Sequence, residues 1–238
     1  MAANPLDEAK QAVRTRIWST LTTADAVYGA SVHGRIPNFK GSGEAAARLP
    51  AWQGASAVKA VPDKAQLPVR VRALEEGKTV YMAVPKLATL KPFDLLDPAT
   101  LTAPPIEAAH SRVAATIAPA VEFDALRRLD LIILGSVAVN RDGARIGKGA
   151  GYSDIEFALL TEAGLATAET VVVAMVHALQ VTEIPTPTTQ HDVSVDLIVT
   201  PDETIARASP HRPTGLDWAS LTAEKIGAIP ALATRQPG

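Results

Sequence analysis

Short apolar segments alternate with helical segments along most of this chain of 238 residues. Helical periodicity is found at residues 67–78 and 153–164, which Gly77 and Gly164 close. This alternation predicts an α/β fold: a mostly parallel, open sheet of five to seven strands with helices on both faces, in a single domain over residues 1–238. The predicted strands are rich in β-branched residues and lie at 55–61, 79–84, 130–139, 170–181 and 194–201.

The first helix is predicted from its own start signals. Asn4 suits the capping position and Pro5 the first helical position, and apolar residues follow at helical spacing as far as Leu21. On the other face, Lys10 and Arg14 lie one turn apart and are therefore neighbours. The local pattern by itself favours a solvated basic face for this pair, because charged side chains are usually exposed.

Two stretches depart from the alternating pattern. Between residues 85 and 119, proline and polar residues indicate an excursion or a small subdomain that the pattern does not place further. A short helix is expected at 123–129. At the C-terminus, proline-rich segments with Trp218 and Ile229 predict an extension, at about residues 205–238, that is docked on the body of the domain.

Composition narrows the classes of function. The formal net charge is −2, aromatic residues make up 4% of the chain and there is no long basic block, which disfavours a nucleic-acid partner. No apolar run predicts a membrane span, and the start of the chain lacks the pattern of a secretory signal, so we expect a cytoplasmic location. Without cysteine, disulfides and thiolate metal sites are excluded. Nothing in the sequence indicates the oligomeric state.

A glycine-rich loop, RIGKGAGYSD, occupies residues 145–154. Glycines let a ligand approach the backbone, so successive N–H groups can form an anion-binding concavity, and the helix that follows adds its N-terminal dipole. Arg145 and Lys148 supply positive charge for a phosphate chain. Asp154, near the helix start, can hold a magnesium ion that bridges the phosphates.

Other interpretations of this loop remain open. It lacks the Walker pattern, and the glycine spacing does not fit the dinucleotide-binding fingerprint. Alternating glycines also occur in tight turns that are chosen for backbone geometry alone. A second acidic group, Asp192, lies in QHDVSVD before the last predicted strand, where the local pattern favours a turn residue beside His191.

Several motifs together resemble the 5-formyltetrahydrofolate cyclo-ligase family, also called methenyltetrahydrofolate synthetases. They recur in one order over most of the chain, and the similarity is greatest to the branch of methenyltetrahydrofolate synthetase domain-containing proteins. The motifs are the Lys10 and Arg14 pair, the loop at 145–154, the QVTEIP turn at 180–185, HDVSVD at 191–196 and the tail HRPTGLDW at 211–218.

The resemblance implies an open α/β sheet like that of sugar-phosphate isomerases and CoA transferases, and an ATP- and Mg²⁺-dependent ring closure of 5-formyltetrahydrofolate. It implies that Lys148 and Arg145 act in catalysis and that Asp154 and Asp192 bind the metal. Tyr152 would contact both nucleotide and folate. The nucleotide-binding residues that it implies are Lys10, Arg14, Arg145, Gly147, Lys148, Gly149, Gly151 and Tyr152.

Three departures from the family pattern affect the folate side. Ser153 stands where the family loop has a second tyrosine, and the family's E-x-x-T segment has its nearest counterpart in Asp63 and Gln66, which we take as substrate-binding residues. A further G-I-x-E-P segment has no match. Two alternatives to the cyclo-ligase therefore stay open: a nucleotide-binding member with a different acceptor, and a non-catalytic interaction module.

Overall fold

The computed structural model describes residues 4–29, 31–207 and 210–236, so residues 1–3, 30, 208–209 and 237–238 of the predicted domain and extension lie outside the described residues. The described strands are β1 (Ala57–Ala60), β2 (Thr79–Ala83), β3 (Phe93–Leu96), β4 (Ala120–Val121), β5 (Leu131–Leu134), β6 (Ala138–Asn140), β7 (Arg145–Ile146), β8 (Val171–Met175), β9 (Val181–Thr182), β10 (Leu197–Val199) and β11 (Thr204–Ala206). The described α-helices are α1 (Pro5–Thr23), α2 (Ser42–Arg48), α3 (Leu67–Glu75), α4 (Pro105–Ala108), α5 (Ser111–Ile117), α6 (Tyr152–Glu162), α7 (Ala223–Ala228) and α8 (Pro230–Ala233).

The main sheet has a parallel centre and antiparallel edges. In the described part of the chain its order is β11-β10-β8-β5-β1-β2-β3-β4. The five strands from β10 to β2 are parallel to their neighbours, whereas β11, β3 and β4 pair antiparallel. The mostly parallel α/β sheet is confirmed.

Helices cover both faces of this sheet, as predicted. Alternate strand residues point to opposite faces, so Val58 packs with α1, α2 and α3, whereas Ile132 packs with α6 and with Leu232 of α8. The first helix follows its sequence signals, because the Asn4 side chain accepts the Leu6 N–H at 3.1 Å. No helix among the residues described here is long and apolar enough to cross a membrane.

The single strand predicted over 130–139 is wrong. The chain leaves the main sheet after β5, and β6 joins a second sheet of order β7-β6-β9. The break falls at Gly135, where a Cβ atom would lie 2.9 Å from the Asp63 carboxylate and 3.1 Å from Ile36. The chain therefore leaves the main sheet at a position where the neighbouring side chains leave no room for a side chain.

The predicted number of strands, five to seven, is also wrong. Residues 85–119, which local patterns did not place, contribute β3, α4 and α5 and lead into β4, so this excursion extends one edge of the main sheet. The helix predicted at 123–129 is only a 3₁₀ turn, Phe123–Ala125.

The C-terminal segment packs on the domain: Ile229 and Leu232 are fully buried against the α6 face.

A buried ion pair connects the sheet to α6. Lys59 of β1 contacts Glu156 of α6, and both side chains are less than 5% exposed. Burial raises the pKa of Glu156, and the neighbouring Lys59 and Arg145 act in the opposite direction. Each charge of such a pair depends on the other, because an unpaired charge in this position would lack both water and a counter-ion.

We therefore expect Lys59→Met to lower the free energy of unfolding by about 3–5 kcal/mol, since it leaves the Glu156 carboxylate buried without its lysine. Urea denaturation measures this change. The double variant Lys59→Met/Glu156→Leu should recover most of the loss because no charge remains to be compensated. Arg128→Met is the control: its pair with Glu169 is 61% and 70% exposed, and its loss should cost less than about 1 kcal/mol. Equal effects of Lys59→Met and Arg128→Met would contradict the prediction.

Candidate functional site

A cavity of about 280 Å³ lies beside the carboxyl end of β5. The chain builds the sheet outwards from β1 to β2 in one direction and from β5 to β8 and β10 in the other, so the strand order reverses between β1 and β5. Open α/β sheets bind ligands in the crevice at such a switch point. Here the residues after the two strands meet, because Gly135 lies against Asp63. Gly135 also lines the cavity.

The glycine-rich loop forms one wall of this cavity. Gly149 and Gly151 have φ angles of 109° and 70°, a backbone conformation that residues with side chains rarely adopt. A Cβ atom on Gly149 would also lie 3.4 Å from Cζ of Arg14. The loop is tied to α1 because Arg14 Nε donates to the Gly147 carbonyl at 2.8 Å. The glycine backbone of the loop lines the cavity directly before the start of α6. The dipole of α6 favours an anion at this end of the helix.

An ion pair between Arg145 and Asp154 joins the two ends of the glycine-rich loop. Arg145 is 4% exposed, and its guanidinium donates to Asp154 Oδ1 at 2.7 Å. The same carboxylate oxygen accepts the backbone N–H of Val193 at 3.2 Å. One ion pair thereby joins β7, the first turn of α6 and the segment that contains Asp192.

Asp192 forms an ion pair with Lys10 in the lining of the cavity. Lys10 Nζ lies 2.6 Å from Asp192 Oδ2, which also accepts the backbone N–H and the hydroxyl of Thr189. The sequence pattern indicated a turn residue before β10, and Asp192 does accept these two local hydrogen bonds. Its segment also packs on α6, however, and this brings the carboxylate to a basic residue 182 positions away.

The predicted nucleotide-binding and metal-binding residues come together in this one cavity. Its lining includes Lys10, Arg14, Arg145, Gly147, Lys148, Gly149, Gly151, Tyr152, Asp154 and Asp192. Lys148 is exposed at the mouth, and the ion pairs of the described residues include Lys10 and Arg145 but not Lys148. Lys10 and Arg14 do not form a solvated basic face. The Lys10 side chain contacts Asp192, and the Arg14 side chain contacts the glycine-rich loop at Gly147.

The two predicted substrate-binding residues of the Asp63 segment lie elsewhere. The cavity that the described residues form is not lined by Asp63 or by Gln66. Burial raises the pKa of Asp63, while the charges of Lys148, Arg70 and Lys59 oppose the rise. Gln66 is fully buried, and neither atom of its amide has a hydrogen-bond partner among the described residues. Asp63 lies against Gly135, a residue that does line the cavity.

Sequence reasoning missed a second wall of the cavity. Residues of the C-terminal segment complete it, chiefly Leu216, Asp217, Thr222 and Lys225. The tail pattern around Trp218 indicated docking on the body, but no local signal shows where a docked segment will lie. The packing of α8 against α6 and hydrogen bonds such as that from the Leu216 N–H to Glu162 place these residues at the cavity.

Comparison with known proteins identifies the family. A sequence profile of the 5-formyltetrahydrofolate cyclo-ligase family matches residues 7–201. This chain belongs to that family. At the level of the family, membership supports an enzyme of the ligase type. The resemblance inferred from the motifs is thus confirmed.

The curated relatives are methenyltetrahydrofolate synthase domain-containing proteins. The protein of Mus musculus is 37% identical over 230 residues, which cover 94% of this chain and 62% of the relative. The Danio rerio protein is 36% identical over 239 residues, with 94% of this chain and 61% of the relative covered. The chain therefore spans about three fifths of the length of the curated relatives that it matches.

A solved structure shares the fold. The NMR structure of Aquifex aeolicus 5,10-methenyltetrahydrofolate synthetase aligns with a TM-score of 0.52 at 18% sequence identity. The alignment covers 84% of this chain and 93% of the solved one. The likeness confirms the α/β architecture of this cyclo-ligase family member.

The Lys10–Asp192 pair gives a prediction that a titration can test. Burial favours the neutral acid, but the hydrogen bonds from Lys10 and Thr189 outweigh it and hold the pKa of Asp192 below its usual value. Lys10→Met should raise the pKa of Asp192, because burial remains while the charged donor is lost. Carboxyl-detected NMR titration of Asp192 in both proteins measures the change.

The same pair predicts the sign of a pH effect on stability. A carboxylate whose pKa is lowered by folding contributes stability above its unfolded pKa, and this contribution is lost as the pH falls through the folded value. The wild type should therefore lose part of its stability through Asp192 below about pH 4, and Lys10→Met should lose less. Lys40→Met, which removes an exposed pair with Asp25, serves as the control. An Asp192 pKa that is unchanged in Lys10→Met would contradict the expectation.

Proposed function

We propose that this chain is an ATP-dependent cyclo-ligase that converts 5-formyltetrahydrofolate, or a related reduced folate, into 5,10-methenyltetrahydrofolate with release of ADP and phosphate. One observation carries the proposal: a cavity at the switch point of the sheet combines a glycine-rich backbone, several cations and four carboxylates, those of Asp7, Asp154, Asp192 and Asp217. Family membership supplies the reaction class.

The cavity has the groups that a polyphosphate needs. Backbone N–H groups near Gly149 and Gly151 and the start of α6 favour an anion. Arg14 and Lys148 bring charge that no ion pair among the described residues neutralises. An open depression continues from the cavity past Gln11 and shares Arg14, Lys148 and Gly149 with it, which leaves room for the rest of a nucleotide.

Two of the cavity's carboxylates, those of Asp154 and Asp192, fit a magnesium ion that is shared with phosphates. Across the described residues, no three His, Cys, Asp or Glu side chains are grouped so as to hold a metal by themselves. Mg²⁺ is commonly held by one or two carboxylates together with phosphate oxygens and water. Asp154 and Asp192 line one cavity, and the described hydrogen bonds of each use a single carboxylate oxygen. A bound Mg²⁺ would neutralise part of the charge of the phosphates.

The proposed chemistry requires charge and position more than a covalent protein intermediate. The formyl oxygen of the folate attacks the terminal phosphorus of ATP, and the bond from that phosphorus to ADP breaks. The neighbouring amine nitrogen then attacks the activated formyl carbon and loses its proton, and the carbon–oxygen bond breaks to release phosphate. We assign Lys148 to stabilising the charge on the transferred phosphoryl group, and Arg145 to orienting the loop and Asp154.

A second candidate function differs in the acceptor. The counterpart of the family's E-x-x-T segment here combines a shorter acid, Asp63, with Gln66, whose side chain is completely buried. Tyr152 is the predicted substrate-binding residue that lines the cavity. These observations favour an acceptor that differs from the usual folate, bound beside the same nucleotide.

The activity test uses purified protein with ATP, Mg²⁺ and 5-formyltetrahydrofolate. We expect the ultraviolet absorbance of the methenyl product to appear only when all three are present, with one ADP formed for each product. Thermal unfolding without turnover distinguishes the second candidate, because a ligand that binds only the folded state raises its stability. Stabilisation by ATP and Mg²⁺ without response to any reduced folate would favour a different acceptor. If neither ATP nor any folate raised the unfolding temperature, the remaining hypothesis would be a non-catalytic interaction module.

Lys148→Ala tests the phosphate site directly. We expect ATP affinity to fall about tenfold to a hundredfold, because a charge-assisted hydrogen bond to a phosphate is lost. Isothermal titration calorimetry measures the affinity. Lys91→Ala, an exposed lysine outside the cavity lining, should bind ATP like the wild type. An unchanged affinity in Lys148→Ala would show that the loop does not bind the phosphates.

A further inference from the structure

The C-terminal segment of residues 210–236 lies beyond the family match, which ends at residue 201. It is nevertheless firmly packed on the domain. Ile229, Ala231 and Leu232 are at most 1% exposed and belong to the core between the sheet and α6. Arg212 adds hydrogen bonds to the carbonyls of Thr167 and Thr170. A segment outside the family profile is thus held in a defined position.

This position brings a lysine to the glycine-rich loop. Lys225 of α7 lies with its ammonium group 2.8 Å from the carbonyl oxygen of Ala150 and 4.2 Å from the ring centroid of Tyr152. Ala150 is the residue between Gly149 and Gly151, at the centre of the bare backbone. Lys225 lines the cavity and is half-buried, and its ammonium forms no ion pair with a described carboxylate. A strongly hydrated cation has therefore lost part of its water without gaining a counter-ion.

We propose that Lys225 is a phosphate-binding residue that the C-terminal segment adds to the nucleotide site, an inference that rests on the function proposed above. The free charge of Lys225 lines the same cavity as Arg14 and Lys148. When a polyphosphate occupies the cavity, the ammonium donates to a phosphate oxygen as well as, or instead of, the Ala150 carbonyl. Three cations without ion pairs then surround the anion, one each from α1, the loop and α7.

A purely structural role is the competing explanation, because Lys225 also tethers α7 to the loop. The chain offers a matched control. Arg235, in the same segment, contacts a carbonyl, that of Ala231, and lies over an aromatic ring, that of Phe123, but it does not line the cavity. Arg235→Met removes a comparable tether without removing charge from the cavity.

The experiment measures ATP, ADP and adenosine affinities by calorimetry in the full chain for wild type, Lys225→Met, Lys225→Arg and Arg235→Met. We expect Lys225→Met to weaken ATP binding about tenfold or more, with a smaller effect on ADP and none on adenosine. Its ATP affinity should also depend less steeply on salt concentration, because one attractive charge is gone. Lys225→Arg should retain most of the affinity, and Arg235→Met should match the wild type.

The outcomes separate this inference from the proposed function. If the wild type binds ATP and Lys148→Ala weakens it while Lys225→Met does not, the inference is overturned and the nucleotide site stands. Equal losses for ATP and adenosine in Lys225→Met, or an equal loss in Arg235→Met, would assign Lys225 to tethering alone. If the wild type binds no nucleotide, the proposed function itself fails. Far-ultraviolet circular dichroism of each variant checks that the chain is folded.

Discussion

The ion pair between Arg145 and Asp154 is the interaction on which the candidate site depends. It is largely buried, and buried charges are tolerated only when they are paired and hydrogen-bonded. Because its two residues lie at the two ends of the glycine-rich loop, the pair closes that loop over the start of α6. Asp154 also accepts the Val193 N–H and so sets the place of Asp192. A second buried pair, between Lys59 and Glu156, attaches the same helix to the centre of the sheet.

These pairs place the loop at the point where the strand order of the sheet reverses. Open α/β sheets bind ligands at such a point, and here the cavity lies beside the carboxyl end of β5. The walls of the cavity come from parts of the chain that are far apart in sequence: α1, the loop, the segment before β10 and the C-terminal helices. Each wall contributes a charged group, so the site collects cations and carboxylates that no single segment could supply.

Prediction from sequence succeeded where the signal is local. The cap at Asn4, the alternation of strands and helices and the motifs shared with the cyclo-ligase family each depend on neighbouring residues. It failed at residues 130–139, where an apolar run suited to one strand is divided between two sheets at Gly135, a position with no room for a side chain. It also missed the edge strands β3 and β4, which are short and lie among prolines, so the pairing of β3 with β2 and of β4 with β3 has little pattern of its own.

The sequence by itself determined the α/β class, the family and the chemical character of the loop, because periodicity, glycine and charge act over a few residues at a time. Only the tertiary structure decided which charges face one another. Asp192 meets Lys10, and Lys225 meets Ala150, although 182 and 75 positions separate the partners. The tertiary structure also placed Asp63 against Gly135 and buried Gln66, so neither residue lines the cavity. Such contacts depend on how the helices pack on the sheet. That packing is set by the apolar area that each face buries and by the charges that must be paired, and both depend on the whole chain.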